Sequence, residues 1–307
     1  MYDDQEILEL RPEKHALETH RPYFFLNEFE PDTDGRLRSV NTIFLTNREC
    51  SFKCVMCDLW RHTLDEKTPV GAIPKQIGYA LERLPPADEI KLYNNGNFFD
   101  RKAIPRADFP AISKLVSGYS NVILENHPKL CNHSILPFQE MLSGTMEIAM
   151  GLETIHPEVL PKLNKQVTME NFARAARFLH DHSINSRAFI LLNPPFLTNR
   201  EENIEWCLKS VEFAFSLGIH TCSIIPTRAG NGVMDKLQNE GEFVPPSLSA
   251  FEEVIDRAIS MGTGRVFADI WDLKPFSKCD DCFEDRRRRL NTMNLEQKVL
   301  PRIKCNC

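Results

Sequence analysis

The sequence predicts an α/β protein: a partial (β/α)6 barrel followed by a cysteine-rich C-terminal extension. Three observations predict it. Short β-type runs alternate with amphipathic stretches from residue 41 onward. Segments bearing glycine, asparagine and acid follow the runs, at the strand ends where such barrels carry their chemistry. Two close cysteine pairs lie beyond residue 270. The expected organisation is an N-terminal extension over 1–40, a barrel over 41–270 and a metal-binding tail over 271–307. A chain of 307 residues that is 42% hydrophobic can bury a substantial core.

Residues 1–40 are polar, acidic and interrupted by proline, and their one apolar patch, Tyr23-Phe24-Phe25-Leu26, reads as a docking contact. Strands are expected over 42–45, 89–93, 122–124, 146–150, 188–192 and 222–225. Helices are expected over 74–84, 109–116, 135–142, 169–182 and 201–217. Phe172, Ala175, Ala176 and Leu179 recur at helical spacing and mark the buried face of one of them. Such β–α repeats imply parallel strands with right-handed crossovers. After the break at Pro245-Pro246, a further helix over 248–261 and a seventh strand over 265–270 complete the pattern.

The first expected strand runs into Cys50-Ser51-Phe52-Lys53-Cys54-Val55-Met56-Cys57, three cysteines at spacing C-x3-C-x2-C. Three thiolates from one loop hold three irons of a 4Fe–4S cubane and leave the fourth without a protein ligand. Electron-transfer ferredoxins usually give each cluster four cysteines. The bland reading is a zinc loop or a chance cluster. The motif resembles that of the radical S-adenosylmethionine (SAM) superfamily, with Met56 at the hydrophobic position before the third cysteine. The resemblance implies a cluster on Cys50, Cys54 and Cys57 whose open iron chelates SAM. An electron from the cluster then splits SAM to a 5′-deoxyadenosyl radical, which abstracts hydrogen from a substrate.

The loops after the strands supply the remaining candidates. Asn94-Asn95-Gly96-Asn97 follows the second strand, where the superfamily carries a glycine-rich element that grips the methionyl amine, so Asn95 and Gly96 take that role by position. Glu125, after the third strand, offers a carboxylate to a ribose hydroxyl or the SAM amine, or else caps a helix; His127 beside it is a proton donor or a structural residue. After the fourth strand, Gly151 permits close backbone approach and Glu153 suits a ribose diol. Asn193 opens a loop in which Pro194 and Pro195 present an apolar edge, with Phe196 and Leu197, to adenine. Arg228, in the glycine-containing loop after the sixth strand, is a carboxylate or phosphate binder or a surface arginine.

Cys279, Cys282, Cys305 and Cys307 form a complete ligand set in the tail. Zinc would take them as a structural staple, and a second Fe–S cluster would use the same four. Cys131, Cys207 and Cys222 stand alone and read as core residues. The chain carries a net charge of −6, which argues against a nucleic-acid-coating protein. Residues 274–307 nevertheless hold nine Lys and Arg against five Asp and Glu. Arg286-Arg287-Arg288-Arg289 there is either a solvated helix face or a phosphate contact. No stretch is long and apolar enough to span a membrane, and the acidic start lacks a secretory signal pattern, so the expected setting is the cytoplasm.

The ordered segments YNNGNFFD, LENHP, AMGLETIHPEVL, FILLNPPFLTNREE, PPSLSAFEEVI, KCDDC and CNC resemble one branch of that superfamily. This branch holds the radical SAM domain of the Elongator catalytic subunit and, more closely, the radical SAM subunit of archaeosine synthase. The resemblance runs over 41–307. It implies a lyase-type reaction on a modified 7-deazaguanine in tRNA, with an electron donor such as flavodoxin or ferredoxin. Residues 58–62 and 271–278 depart from the pattern of that branch. Two rivals are a radical SAM enzyme acting on a small metabolite or peptide, and a non-catalytic Fe–S or zinc module.

Overall fold

The computed structural model describes residues 2–305. Its centre is one eight-stranded sheet whose spatial order follows the chain: β1 (Phe24–Pro31), β2 (Leu37–Phe44), β3 (Glu89–Tyr93), β4 (Asn121–Glu125), β5 (Thr145–Glu153), β6 (Asn185–Leu192), β7 (Thr221–Pro226) and β8 (Arg265–Ala268). Strands β2 to β8 are parallel, as β–α repeats require. The six expected strands and the seventh are all present, and the expected α/β partial barrel is the observed fold.

The sheet also reaches into the segment read as an extension. β1 pairs antiparallel with β2 through a tight turn at Asp32–Arg36, where Asp32 Oδ1 accepts the N–H groups of Asp34 and Arg36 at 2.9 Å each. Gly35, at φ +77°, gives the turn its left-handed residue. The sheet therefore starts at Phe24, not near residue 41.

Ten α-helices surround it among the described residues. These are α1 (Asp4–Glu9), α2 (Ala72–Leu81), α3 (Phe109–Leu115), α4 (Leu136–Gln139), α5 (Val159–Lys162), α6 (Met169–Asp181), α7 (Arg200–Ser216), α8 (Val233–Asn239), α9 (Leu248–Ser260) and α10 (Phe283–Glu296). Side-chain caps start the longer ones: Thr168, Asn199 and Ser247 each accept a backbone N–H of the first turn. Phe172, Ala175, Ala176 and Leu179 of α6 are buried, as their spacing predicts. The helix expected over 135–142 shortens to α4, entered through a 3-10 turn at His133–Ile135.

The main core lies between sheet and helices, with Phe98, Phe109 and Phe138 packed at 4.9–6.1 Å between ring centres. α10 belongs to it through Leu290 and Met293, so the segment after residue 270 packs against the barrel wall. Cys207 and Cys222 are fully buried core residues, as expected. No helix among the described residues is long and apolar enough to cross a membrane.

Candidate active site

The parallel strands deliver their loops to one end of the sheet, where a cavity of about 650 Å3 opens. Cys50, Cys54 and Cys57 all line it. Their loop is held rigid by bonds to its backbone. Val55 N donates to Leu163 O at 2.9 Å, Asn231 Nδ2 donates to the Val55 and Cys57 carbonyls at 2.8 and 3.0 Å, and Trp60 Nε1 also donates to Cys57 O at 3.0 Å. Glu49, just before the first cysteine, receives Arg11 and Lys14 at 2.7 Å and Lys53 at 2.5 Å. Burial raises its pKa, but those three cations outweigh burial and hold it at about 2.

The N-terminal segment covers the loop from outside. Ile7 of α1 packs with Val55, Met234 and Phe243. A side chain on Gly232 would strike the Leu10 carbonyl at 1.8 Å, so the arm lies directly on the loop after β7. Tyr23 donates its hydroxyl to Asn95 Oδ1 at 2.9 Å and stacks on His62 at 4.5 Å. Of the apolar patch at 23–26, read as a docking contact, Tyr23 docks on the cavity wall through Asn95, whereas Phe24 to Leu26 form the start of β1 in the sheet itself.

Burial raises the thiol pKa of all three cysteines, that of Cys54 to about 12. Without a metal they stay protonated; a metal is what converts them to thiolates. Two donors already point at one sulfur: Asn97 Nδ2 at 3.1 Å and Phe52 N at 3.4 Å from Cys50 Sγ. Hydrogen bonds of this kind stabilise a cluster-bound sulfur. Among the described residues, only Cys279, Cys282 and Cys305 gather their ligand atoms within 4.8 Å, as a single ion needs. The wider set at 50, 54 and 57 suits a cubane, whose irons sit at separate corners. The residues present fit a 4Fe–4S cluster.

Five of the six residues expected to bind the cofactor line the same cavity: Asn95, Gly96, Glu125, Gly151 and Glu153. A side chain on Gly96 would crowd Cys50 Cβ at 3.2 Å, so this glycine lets the turn close on the cysteine loop. Glu125 accepts the N–H groups of Asn94 and Gly96, the latter at 3.2 Å. Burial pushes its carboxyl up to about 7 against those bonds. Glu153 accepts Lys165 Nζ at 2.7 Å.

The sixth residue, Asn193, does not line the cavity; its side chain donates to Val244 O at 3.0 Å. The apolar edge expected beside it is turned away as well: Phe196 and Leu197 pack among Val159, Leu160 and Leu163. Arg228 lines the cavity but is engaged, donating to Trp271 O and pairing with Asp269 at 3.5 Å. His127 lines the cavity too and is held in place there. It stacks on Phe52 at 3.7 Å, its Nε2 meets Lys165 O at 3.0 Å, and burial holds its pKa down to about 3.

Sequence reasoning missed Lys165 and the bridging role of Asn97, which also accepts the His127 N–H at 2.8 Å. A lone lysine twelve residues beyond the end of a strand carries no signal, whereas Asn97 stood in a motif already singled out.

In the tail, Cys279, Cys282 and Cys305 come together, with Cys279 and Cys305 sulfurs 3.8 Å apart. Cys307 lies outside the described residues. The N–H of Cys282 pulls the Cys279 thiol down to about 7, in keeping with a metal ligand. The four consecutive arginines are all paired: Arg286 with Glu252, Arg287 with Glu284, Arg288 with Asp285 and Arg289 with Asp256. Arg286 and Arg289 are tied into buried pairs with the neighbouring helix, whereas Arg287 and Arg288 keep 41% and 71% of their side chains exposed in pairs within their own helix.

Fold and cysteine loop together resemble those of the radical SAM class. The fold is shared with the archaeal Elp3 of Methanocaldococcus infernus, at TM-score 0.55 and 17% identity over 72% of this chain and 59% of that one. It is shared too with a spore photoproduct lyase solved with bound AdoMet, at TM-score 0.52 and 9% identity over 78% of each chain. In sequence the chain is similar to the archaeosine synthase subunit beta of Methanosarcina acetivorans, 24% identical over 67% of this chain and 61% of that subunit. It is 25% identical to an uncharacterized protein of Methanocaldococcus jannaschii, over 87% of this chain and 79% of that one. The chain thus spans less than two thirds of the archaeosine synthase subunit it matches. No family model matches. The expected resemblance to the radical SAM superfamily and this branch stands, to Elp3 in fold and to archaeosine synthase subunit beta in sequence.

Proposed function

We propose that the protein is a radical SAM enzyme whose substrate enters the barrel lumen below the cysteine loop. The observation that carries this reading is that three thiols of one rigid loop open onto the cavity at the C-terminal ends of the parallel strands. A 4Fe–4S cluster held by Cys50, Cys54 and Cys57 would supply the electron for reductive cleavage of SAM to a 5′-deoxyadenosyl radical. The chain's own residues seat the cofactor. Asn95, Gly96 and Glu125 take the methionyl ammonium, Gly151 and Glu153 take the ribose, and Lys165 offers its charge to the methionyl carboxylate. The N-terminal arm covers the loop and keeps water from the reacting atoms. The tail cysteines hold a further metal, as zinc or a second Fe–S cluster. In this reading the protein works in the cytoplasm with a flavodoxin or ferredoxin donor.

Similarity to the archaeosine synthase subunit supports a modified 7-deazaguanine in tRNA as the substrate. A second reading, a small metabolite or peptide, is favoured by the acidic balance of the chain, whose net charge is −6. Anaerobic reconstitution followed by chromatography for 5′-deoxyadenosine, after addition of dithionite and SAM, tests the activity. A fully loaded cluster that yields none contradicts it. Salt-dependent binding of tRNA separates the two substrate classes, because phosphate contacts release counterions.

A further inference from the structure

The lumen continues below the cofactor-binding end, and its wall changes character twice. At mid-height it is aromatic: Phe44, Tyr93, Phe189 and Phe267 line it, with Phe44 and Phe189 each edge-on to Tyr93 at 6.0 and 6.2 Å. Below that lies an ionic floor. Lys91 of β3 pairs with Glu28 at 2.8 Å and Glu30 at 2.5 Å, both on β1. Arg187 of β6 pairs with Glu30 at 2.8 Å and with Glu147 of β5 at 2.7 Å.

Three carboxylates thus face two cations. The next pair outward, Glu89 and Arg265, adds one charge of each sign and leaves the excess negative. Both cations are spent: Lys91 and Arg187 are 5% and 3% exposed. Arg187 and Lys91 together saturate Glu30, and despite burial hold it well below the usual carboxylate range. Glu28 differs. Its Oε1 accepts Thr42 at 2.6 Å and Lys91 at 2.8 Å, while Oε2 has no partner among the described residues, and the side chain is 31% exposed on the cavity wall. Buried ion networks are seldom more stabilising than the apolar packing that could replace them, so stability alone does not account for one that borders a cavity.

We propose that the lumen is built for a cationic substrate: an ammonium group placed on Glu28 Oε2, with the adjoining apolar or ring portion held in the aromatic waist. A free carboxylate on Oε2 gives the ammonium a charge-assisted bond, and the aromatic faces attract the same charge. This rests on the lumen being the substrate site of the function proposed above and names the chemical class it takes. A free amine and an amine carried on a modified base share this chemistry.

The test is calorimetric titration of the cluster-loaded full chain with two probes of one shape, tryptamine and indole-3-propionate. Tryptamine is expected to bind about tenfold or more tighter than the acid. Glu28→Gln, whose amide oxygen still accepts Thr42 and Lys91, is expected to abolish that preference. Phe189→Ala is expected to weaken tryptamine through the loss of waist contact, and serves as the second variant if Glu28→Gln does not fold. Equal binding, preference for the acid, binding of neither probe, or an undiminished preference in Glu28→Gln overturns the proposal. Formation of 5′-deoxyadenosine by the unaltered chain without probe scores the radical SAM reading separately, so either can fail alone. Full-length tRNA bearing an amine on its base, titrated beside the free amine, distinguishes the two sources.

Discussion

Glu153 and Lys165 form a 2.7 Å ion pair in the space that a side chain at position 151 would fill: a Cβ there would lie 2.1 Å from Glu153 Oε1 and 2.5 Å from Lys165 Nζ. Gly151 therefore earns its place by leaving room for the pair, beyond letting a ligand approach the backbone.

Gly151→Ala is expected to displace the pair, lower stability by about 2 kcal/mol and weaken SAM binding about tenfold. Thermal melting of the cluster-free chain and SAM titration of the loaded chain measure the two effects. Unchanged SAM affinity removes Glu153 and Lys165 from the cofactor site.

Glu125 makes the cofactor site sensitive to pH. Its folded value of about 7 lies above the ordinary 4.5, so protonated Glu125 contributes stability that is complete below pH 4.5 and lost as pH rises through 7. In the cluster-free chain, Glu125→Gln is expected to gain on the unaltered protein by up to about 3 kcal/mol between pH 4.5 and 8. SAM affinity of the loaded chain is expected to rise over the same interval, because the ionised carboxylate pairs with the ammonium. A flat difference in denaturant midpoint across that range contradicts the assignment.

The proposed tail metal is expected to bind independently of the loop cluster. A variant with Cys50, Cys54 and Cys57 all replaced by alanine is expected to keep one metal centre, and further replacement of Cys282 to lose it. Metal and sulfide analysis decides its kind: zinc without sulfide marks a staple, iron with sulfide a second cluster. A metal-free triple variant contradicts a tail site.

Arg287 and Arg288 are paired within their own helix. Arg287→Ala with Arg288→Ala is expected to leave the salt dependence of tRNA binding unchanged, within about half a unit of slope. A loss of about two units would show that Glu284 and Asp285 release these arginines to phosphate.

The parallel strands and the cysteine loop were legible because each is a local pattern: apolar runs of fixed period, and three cysteines at one spacing. β1 was not, because its cavity-facing residues include Glu28 and Glu30, and an acidic strand reads as a solvated extension. Their partners Lys91 and Arg187 lie 61 and 157 residues from Glu30, so no window of sequence shows the charges cancelling. Lys165 reaches Glu153 only through the turn after α5. Asn193 misled because a strand-end position fixes where a residue starts, not which way its side chain turns; at φ +56° it turns to Val244. The helix-face reading of the arginines was legible, since Glu284 and Asp285 stand three residues before Arg287 and Arg288, a helical pairing distance.

The central claim is that the cluster at Cys50, Cys54 and Cys57 keeps one iron for SAM. Electron paramagnetic resonance of the dithionite-reduced chain, recorded with and without SAM, tests it most directly. A spectrum whose g values shift on adding SAM, and do so equally when Cys279 and Cys282 are replaced, is the predicted result. A spectrum from the loaded loop that SAM leaves unchanged contradicts the account.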